Sequence, residues 1–244
     1  LTDAVAALRE QGEKVSAFVC ADQQQISGVN DRSQLAEAAR VLQLRKNRQL
    51  MLSGVTIVDP QTTYIDSMVT VGLDTVIEPQ SYICGNSRIG TNCQIGPMVK
   101  IVDSLVGDGG VIGPFAYLRP GTKLGARVKA GHFVEIKNSV VGDGSKVPHL
   151  SYIGDAEIGQ NVNIGCGVIT CNYDGVDKHK TEIGDGAFIG SNSNFIAPVK
   201  VGSNCTVAAG STLTANVPDD ALAIARAYQC NIENWAGKNK NSKK

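Results

Sequence analysis

Between Val71 and Leu213 a branched aliphatic residue returns every six positions. Val71, Ile77, Ile83, Ile89, Ile95 and Ile101 form the first run. After a slip of one residue come Val106, Ile112, Leu118, Leu124 and Ile136, with Ala130 in the gap. Val141, Val147 and Ile153 make a third run, and Ile183, Ile189, Phe195, Val201, Val207 and Leu213 the last. A period of six matches neither the 3.6 of a helix nor the simple 2 of an isolated strand. It matches a chain wound into flat coils, in which each aliphatic side chain points inward and stacks on its equivalent one coil away. The predicted fold is therefore mainly β: a parallel β-helix of hexapeptide repeats over residues 54–218. Three hexads make a coil of about 18 residues, giving about eight coils, with one or two irregular coils before them.

The pattern differs on either side of the repeats. Asp3 to Gln11 reads as a short amphipathic helix with Ala4, Ala7 and Leu8 apolar, stopped by Gly12. Val15 to Cys20 (VSAFVC) reads as a strand, so residues 1–32 form a short α/β piece. Ser33 is the expected cap of a helix from Gln34 to Met51, with Leu35, Ala38, Ala39, Leu42 and Leu50 on or near one face. Arg40, Arg45, Lys46 and Arg48 cover the other side as a solvated surface, and residues 33–53 read as a linker helix. Residues 219–244 read as a capping segment, Ala221 to Trp235, and a basic tail ending GKNKNSKK. Within the repeats, the polar stretch CNYDGVDKHKTE (171–182) breaks the period and is expected to protrude as a loop, where sites tend to sit.

Composition narrows the classes. Lys plus Arg equals Asp plus Glu at 23 each, which favours neither a nucleic-acid partner nor a polybasic membrane patch. Hydrophobic residues at 42% can build a core, while 27 glycines and only 5% aromatics suit thin coils with tight corners. The seven cysteines (20, 84, 93, 166, 171, 205 and 230) are odd in number and contain no C-x-x-C, which predicts buried, reduced thiols in a cytoplasmic protein. No 18-residue apolar span is present. The opening at Leu1, inside what reads as part of a larger unit, leads us to expect a piece of a longer protein.

Several long motifs occur in a fixed order: GVNDRSQLAEA (28–38), LMLSGVTIVDPQTTYID (50–66), IGPFAYLRPGTKLG (112–125), HFVEIKNS (132–139), HLSYIGDAEIGQNVNIG (149–165), TCNYDGVDKHKT (170–181) and AAGSTLT (208–214). Together they closely resemble the bacterial bifunctional enzymes of UDP-N-acetylglucosamine synthesis. Those enzymes join a glucosamine-1-phosphate N-acetyltransferase to an N-acetylglucosamine-1-phosphate uridyltransferase. The resemblance covers nearly the whole chain. It implies a left-handed coil, although parallel crossovers elsewhere are almost always right-handed. It implies acetyl transfer from acetyl-CoA to glucosamine 1-phosphate, giving N-acetylglucosamine 1-phosphate for UDP-N-acetylglucosamine, peptidoglycan and lipopolysaccharide synthesis. It also implies a cytoplasmic homotrimer with sites between subunits, with no membrane or nucleic-acid partner. Residues 1–32 resemble the end of the uridyltransferase domain, and the Gly-rich nucleotide-binding segment of that domain is absent from this sequence. Uridyl transfer is therefore not expected of this chain alone.

Residue by residue, the resemblance makes His149 the proton acceptor, a role that suits a side chain whose ordinary pKa is about 6.5. It follows Pro148, where several relatives have Gly. Arg119 and Lys137 resemble the phosphate contacts of glucosamine 1-phosphate. Their 18-residue spacing is one coil, so they are expected to stack on one face as a clamp. Tyr152 and Asn163 resemble the remaining sugar contacts. Lys178 resembles a lysine that reaches the phosphate across a subunit boundary. His149 follows Lys137 by only 12 positions, so it meets that site either from a neighbouring subunit or by side-chain reach. The acetyl-CoA side resembles Cys166, Asn172, Tyr173, Ser191, Ala209 and Arg226, with backbone groups at Cys166 and Ala209 and coenzyme phosphates at Arg226. Relatives often carry Ala at position 166, which implies a bystander thiol and direct transfer. Asn30 resembles a metal-ligand Asn of the uridyltransferase site, which holds Mg2+ only together with residues outside this sequence.

Three other readings use the same scaffold. A γ-type carbonic anhydrase needs three histidines on zinc, and this chain has His132, His149 and His179, the last between two lysines in the break. A different hexapeptide acyltransferase would act on serine or a lipid precursor. A non-catalytic β-helix would not need the charged insertion or the Arg119, Lys137 and His149 set.

Overall fold

In a computed structural model, described for residues 2–236, the six-residue period becomes a three-sided coil. Every hexad contributes a strand of two to four residues. The strands pair in parallel into three sheets of ten, nine and eight strands, which we call faces A, B and C. Successive turns of the chain visit A, B and C in order, for about nine coils. The register repeats the sequence period: Ile112 pairs with Ala130 on face A, Leu118 with Ile136 on face B, and Leu124 with Val141 on face C.

The hexad residues form the core. Ile77, Ile83, Ile95, Ile101, Leu118, Ile136, Val141, Val147, Ile153, Ile189, Phe195 and Val201 are wholly buried. Burying such a side chain contributes about 1.5–3 kcal/mol, and the stack repeats that gain coil after coil. Val71, near the start, is only half-buried. A second inward position, two residues before each aliphatic, is small and often hydroxylated. Thr122, Ser139, Ser145 and Ser151 sit there, all buried. Their hydroxyls satisfy backbone groups that the corners leave unpaired: Ser139 Oγ donates to the Lys137 carbonyl at 2.7 Å and accepts from the Ala156 N–H at 2.9 Å.

The corners depend on left-handed backbone. At the A-to-B corner, Met98, Phe115, Phe133 and Leu150 all have φ between 50° and 56°. At the B-to-C corner Asp103, Gly121, Asn138 and Asp155 recur coil after coil, the N–H groups of Gly121, Asn138 and Asp155 donating to the carbonyls of Asp103, Pro120 and Lys137 in the coil before. Asn, Asp and Gly tolerate this conformation, whereas bulky apolar residues rarely adopt it.

Before the coils the chain departs from expectation at three points. Helix α1 is Thr2–Glu10, but it buries none of its residues. Val15 to Cys20 forms no strand; Phe18 and Val19 are 93% and 85% exposed. Among the described residues no neighbouring strand takes its backbone hydrogen bonds, and a lone extended segment is not stable as a sheet. Helix α2 is Arg32–Leu52, and Asp31 rather than Ser33 caps it, its Oδ1 accepting the Gln34 N–H at 2.8 Å. The chain divides into two compact units, up to Arg45 and from Lys46 onward. Of the expected apolar stripe of α2, Leu50 is buried, whereas Leu35 and Leu42 are exposed.

In the second unit, the end of α2 is held by polar side chains. Lys46 Nζ donates to the carbonyls of Ser67 and Val69 at 2.9 and 2.8 Å. Asn47, fully buried, donates to those of Pro60 and Thr63 at 3.0 and 2.8 Å. Asn47→Ala is expected to lower stability by about 2 kcal/mol, read from urea unfolding, because it removes two hydrogen bonds donated by a fully buried side chain.

At the other end, Leu222–Ala223 adds a last strand to face A beside Thr206–Val207, so the capping segment begins as one more rung. The basic tail lies outside the described residues. All seven cysteines are free, but only Cys93 and Cys205 are buried, and Cys230 is exposed. No helix among the described residues is long and apolar enough to cross a membrane.

Candidate functional site

The break in the period leaves the coil as expected, over fewer residues than the stretch that lacks the period. Cys171 ends one face B strand and Thr181 opens the next face C strand, so only 172–180 leaves the coil. These residues form a small hairpin with an antiparallel bridge between Tyr173 and Lys178. Asp174 Oδ1 accepts the N–H groups of Val176 and Asp177 at 2.8 and 2.7 Å, and its Oδ2 binds His179 Nε2 at 2.7 Å. The His179 contact and the two N–H bonds hold the Asp174 carboxyl well below the usual carboxylate range. Tyr173 OH donates to the Gly175 carbonyl at 2.6 Å.

Under this hairpin lies a cluster of charge at the B-to-C edge. Arg119 and Lys137 follow paired residues, Leu118 and Ile136, so they stand one coil apart as the spacing predicts. Each is already matched to a carboxylate. Arg119 Nη1 donates to Glu135 Oε1 at 2.8 Å, and Lys137 Nζ donates to Asp155 Oδ2 at 3.3 Å. Lys178 comes down from the hairpin against Lys137. The hydrogen bond between the two amines, with Asp155 beside it, holds Lys137 above the ordinary lysine value, and the same contact with Lys137 pulls Lys178 below it. Tyr152 leans over the same group, so close to Gly154 that a Cβ there would come within 2.5 Å of its hydroxyl. Asp155 collects three donors: Asn138 Nδ2 at 2.6 Å, Asn172 Nδ2 and Lys137 Nζ. Burial alone would push its carboxyl up; these bonds outweigh it and hold it below the usual range. A groove of about 720 Å³, lined by Gly121, Asn138, Asp155, Lys178 and His179 among others, runs along this edge.

His149 stands at the opposite edge of face B, where face A turns into it. It ends the face A strand Lys146–His149, with its side chain exposed. Its ring stacks on His132, its in-register partner one coil before, at 5.6 Å between centroids and 22° between planes. The strand carrying His132 runs close beneath Pro148: a Cβ on Gly131 would lie 2.1 Å from the Pro148 carbonyl oxygen. The register continues upward. Lys146 pairs with Asn163, Ile164 with Ile189 and Ile189 with Val207, which puts His149, Cys166, Ser191 and Ala209 in one column. Arg226 closes that column, its Cδ 3.7 Å from where a Cβ of Gly210 would sit. Asn163 lies on face A three residues before Cys166.

The predicted residues thus divide. Arg119, Lys137, Tyr152, Asn172, Tyr173 and Lys178 gather at one edge of face B; His149, Cys166, Ser191, Ala209 and Arg226 line the other. His132, named above only as a possible zinc ligand, is instead the ring stacked on His149. The residues that pattern reading missed are the carboxylates Glu135 and Asp155 and an exposed apolar ridge beside His132. The ridge is Met98, Phe115, Phe133 and Leu150, with Phe115 and Phe133 stacked at 5.0 Å. The hexad count could have found the ridge, since all four occupy the same corner position.

No three-histidine centre forms: His179 is bound to Asp174, away from the stacked pair. Among the described residues no group of three or more His, Cys, Asp or Glu side chains is placed to hold a metal ion. Asn30, whose N–H donates to Gln34 Oε1 at 2.7 Å, offers one side-chain oxygen. Mg2+ takes a near-octahedral set of oxygens, so the residues present do not fit it.

Comparison with known proteins bears on the fold and the family. The family model of the bacterial transferase hexapeptide (six repeats) matches residues 180–215. The solved UDP-N-acetylglucosamine O-acyltransferase (LpxA) of Moraxella catarrhalis superposes with a TM-score of 0.56 at 17% identity, covering 76% of this chain and 77% of that one, which is a likeness of fold. "Bifunctional protein GlmU" of Thermoanaerobacter pseudethanolicus is 52% identical over 251 positions, covering 96% of this chain. That of Geotalea uraniireducens is 51% identical over 257, covering 98%. The chain spans about half the length of these curated relatives, 55% and 56% respectively, matching their C-terminal part. With half of its residues identical along nearly its whole length, the chain belongs to the family of the bifunctional GlmU proteins.

Proposed function

We propose that this chain transfers the acetyl group of acetyl-CoA to the amine of glucosamine 1-phosphate. The observation that carries the reading is the meeting of Arg119, Lys137 and Lys178 under Tyr152, three cations at one edge of a face whose other edge carries His149. A dianionic phosphate is the natural partner of such a set. The amine lone pair forms the new C–N bond at the acetyl carbonyl carbon, and the C–S bond breaks. The proton of the amine passes to His149 and from there to the departing thiolate. Cys166, Ser191, Ala209 and Arg226 run along the His149 column as a track for the coenzyme, with Asn172 and Tyr173 facing from the hairpin. Asn163 and Tyr152 would hold the sugar.

The working unit in this reading is a cytoplasmic homotrimer. Two features support it. The site residues split between two edges, which a second copy could bring together, and the ridge Met98, Phe115, Phe133 and Leu150 leaves apolar surface beside His149 for that copy to cover. Mg2+ would serve only the uridyltransferase half of the whole bifunctional protein.

The test is a thiol-release assay with acetyl-CoA and glucosamine 1-phosphate. Turnover is expected, with product N-acetylglucosamine 1-phosphate. No turnover by fresh trimeric protein would overturn the reading. Transfer only to some other acceptor would favour a different hexapeptide acyltransferase.

A further inference from the structure

We propose that Asp155 is a positioning residue that ties the hairpin to the phosphate-binding lysine, so that one carboxylate sets both sides of the site. The inference rests on the function proposed above and adds to it a residue outside the contacts named there.

The argument begins with the backbone. Asp155 sits at the B-to-C corner with φ of 49°, at the level where the hairpin leaves and rejoins the coil. Its N–H donates to the Lys137 carbonyl at 3.0 Å, and its own carbonyl accepts the N–H of Thr181, the first residue after the hairpin, at 3.3 Å. Its side chain reaches the other end. Oδ2 accepts from Asn172, the first residue of the hairpin, and also from Lys137 Nζ at 3.3 Å. Asn138, in the coil before, fixes Oδ1 at 2.6 Å. Only 14% of the side chain is exposed, so these bonds are little diluted by water. Among the described residues, Asp155 is therefore the one bonded to both ends of the hairpin and to Lys137.

Two consequences follow. The carboxylate holds Lys137 in place and charged while Lys178, Arg119 and Tyr152 crowd the same volume. It also fixes Asn172, and with it the hairpin that delivers Tyr173 and Lys178. Glu135, the other carboxylate of the cluster, serves Arg119 alone. When a phosphate arrives, Lys137 can exchange one anion for another without leaving its place.

The test is Asp155→Asn, which keeps the shape and tolerates the left-handed backbone but removes the charge. KM for glucosamine 1-phosphate is expected to rise at least tenfold, with kcat changed less. The alkaline limb of kcat/KM for that substrate is expected to move to lower pH, since Lys137 and Lys178 lose the anion that keeps them protonated. Asp155→Glu keeps the charge and should restore the limb towards its native position. A variant that melts earlier but keeps the native KM and alkaline limb would reduce Asp155 to a structural residue and overturn the proposal. If Asp155→Asn does not fold, Asp155→Glu decides alone: a native alkaline limb supports the proposal, and one displaced as far as that of Lys137→Ala overturns it. Should Arg119→Ala and Lys137→Ala also leave KM unchanged, the phosphate site itself would be wrong, an outcome separate from failure at Asp155.

Discussion

Replacing His149 with alanine is expected to lower kcat for acetyl transfer by about 10²- to 10⁴-fold, the range typical of losing a positioned general base. The fold should survive it. The His149 ring is exposed, and the bonds that residue 149 contributes to the coil are made by its backbone: its carbonyl accepts from Ser151 Oγ at 2.8 Å and from the Gly167 N–H at 3.2 Å. Alanine keeps both, so stability should stay within about 0.5 kcal/mol of the parent, as for most surface changes. KM for acetyl-CoA should move little, because the coenzyme track above His149 is built from other residues. His132 offers the sharpest control. It lies one coil away in register, with its ring 5.6 Å from that of His149, and would be the obvious substitute base. If His149→Ala keeps more than a tenth of kcat and His132→Ala does not, the proton acceptor has been assigned to the wrong ring.

The architecture was legible in the sequence because a β-helix is nearly one-dimensional. Each hexad residue meets its equivalents three hexads away, so Leu118 under Ile136 could be read from spacing alone. The stacking of Arg119 and Lys137 followed from the same arithmetic. What spacing could not show was what those cations touch. Glu135 and Asp155 sit in strands and corners whose residue type the period does not constrain, and their roles depend on rotamers that close a hydrogen bond across coils. The hairpin was visible only as a gap, since its order comes from the Asp174 turn and the Tyr173 to Lys178 bridge, both local chemistry without a period. The early segments failed for a different reason. VSAFVC has the composition of a strand, but a strand exists only with a neighbour, and among the described residues it has none. Helix α2 kept its length, while Leu35 and Leu42 of its expected apolar stripe stayed exposed and its end was anchored through Leu50 of that stripe together with Lys46 and Asn47.

Phe195→Ala is expected to cost about 3–5 kcal/mol, a large part of the 5–15 kcal/mol that holds a typical domain together. Phe195 is the one aromatic among the hexad residues of the repeat, and it is wholly buried. Its neighbour in the coil before is Thr170 and in the coil after is Leu213. Thr170 replaces the aliphatic residue that Ile136 and Ile153 supply below, so a small side chain is followed by a large one and the core stays filled. The threonine is there for its hydroxyl. It receives the Gly154 N–H at 2.7 Å and donates to the Gly154 carbonyl at 3.1 Å, fixing the residue next to Asp155. Emptying the space above Thr170 would therefore loosen the strand Tyr152–Gly154, which leads into Asp155, and KM for glucosamine 1-phosphate should rise along with the loss of stability. Urea unfolding with an unchanged slope would measure the first effect and steady-state kinetics the second. Phe195→Leu, which leaves a smaller void, should lose less than half as much. A loss below about 1 kcal/mol for the alanine variant would mean that the coils close over the gap, and that the stacked column is not the rigid support on which the site depends.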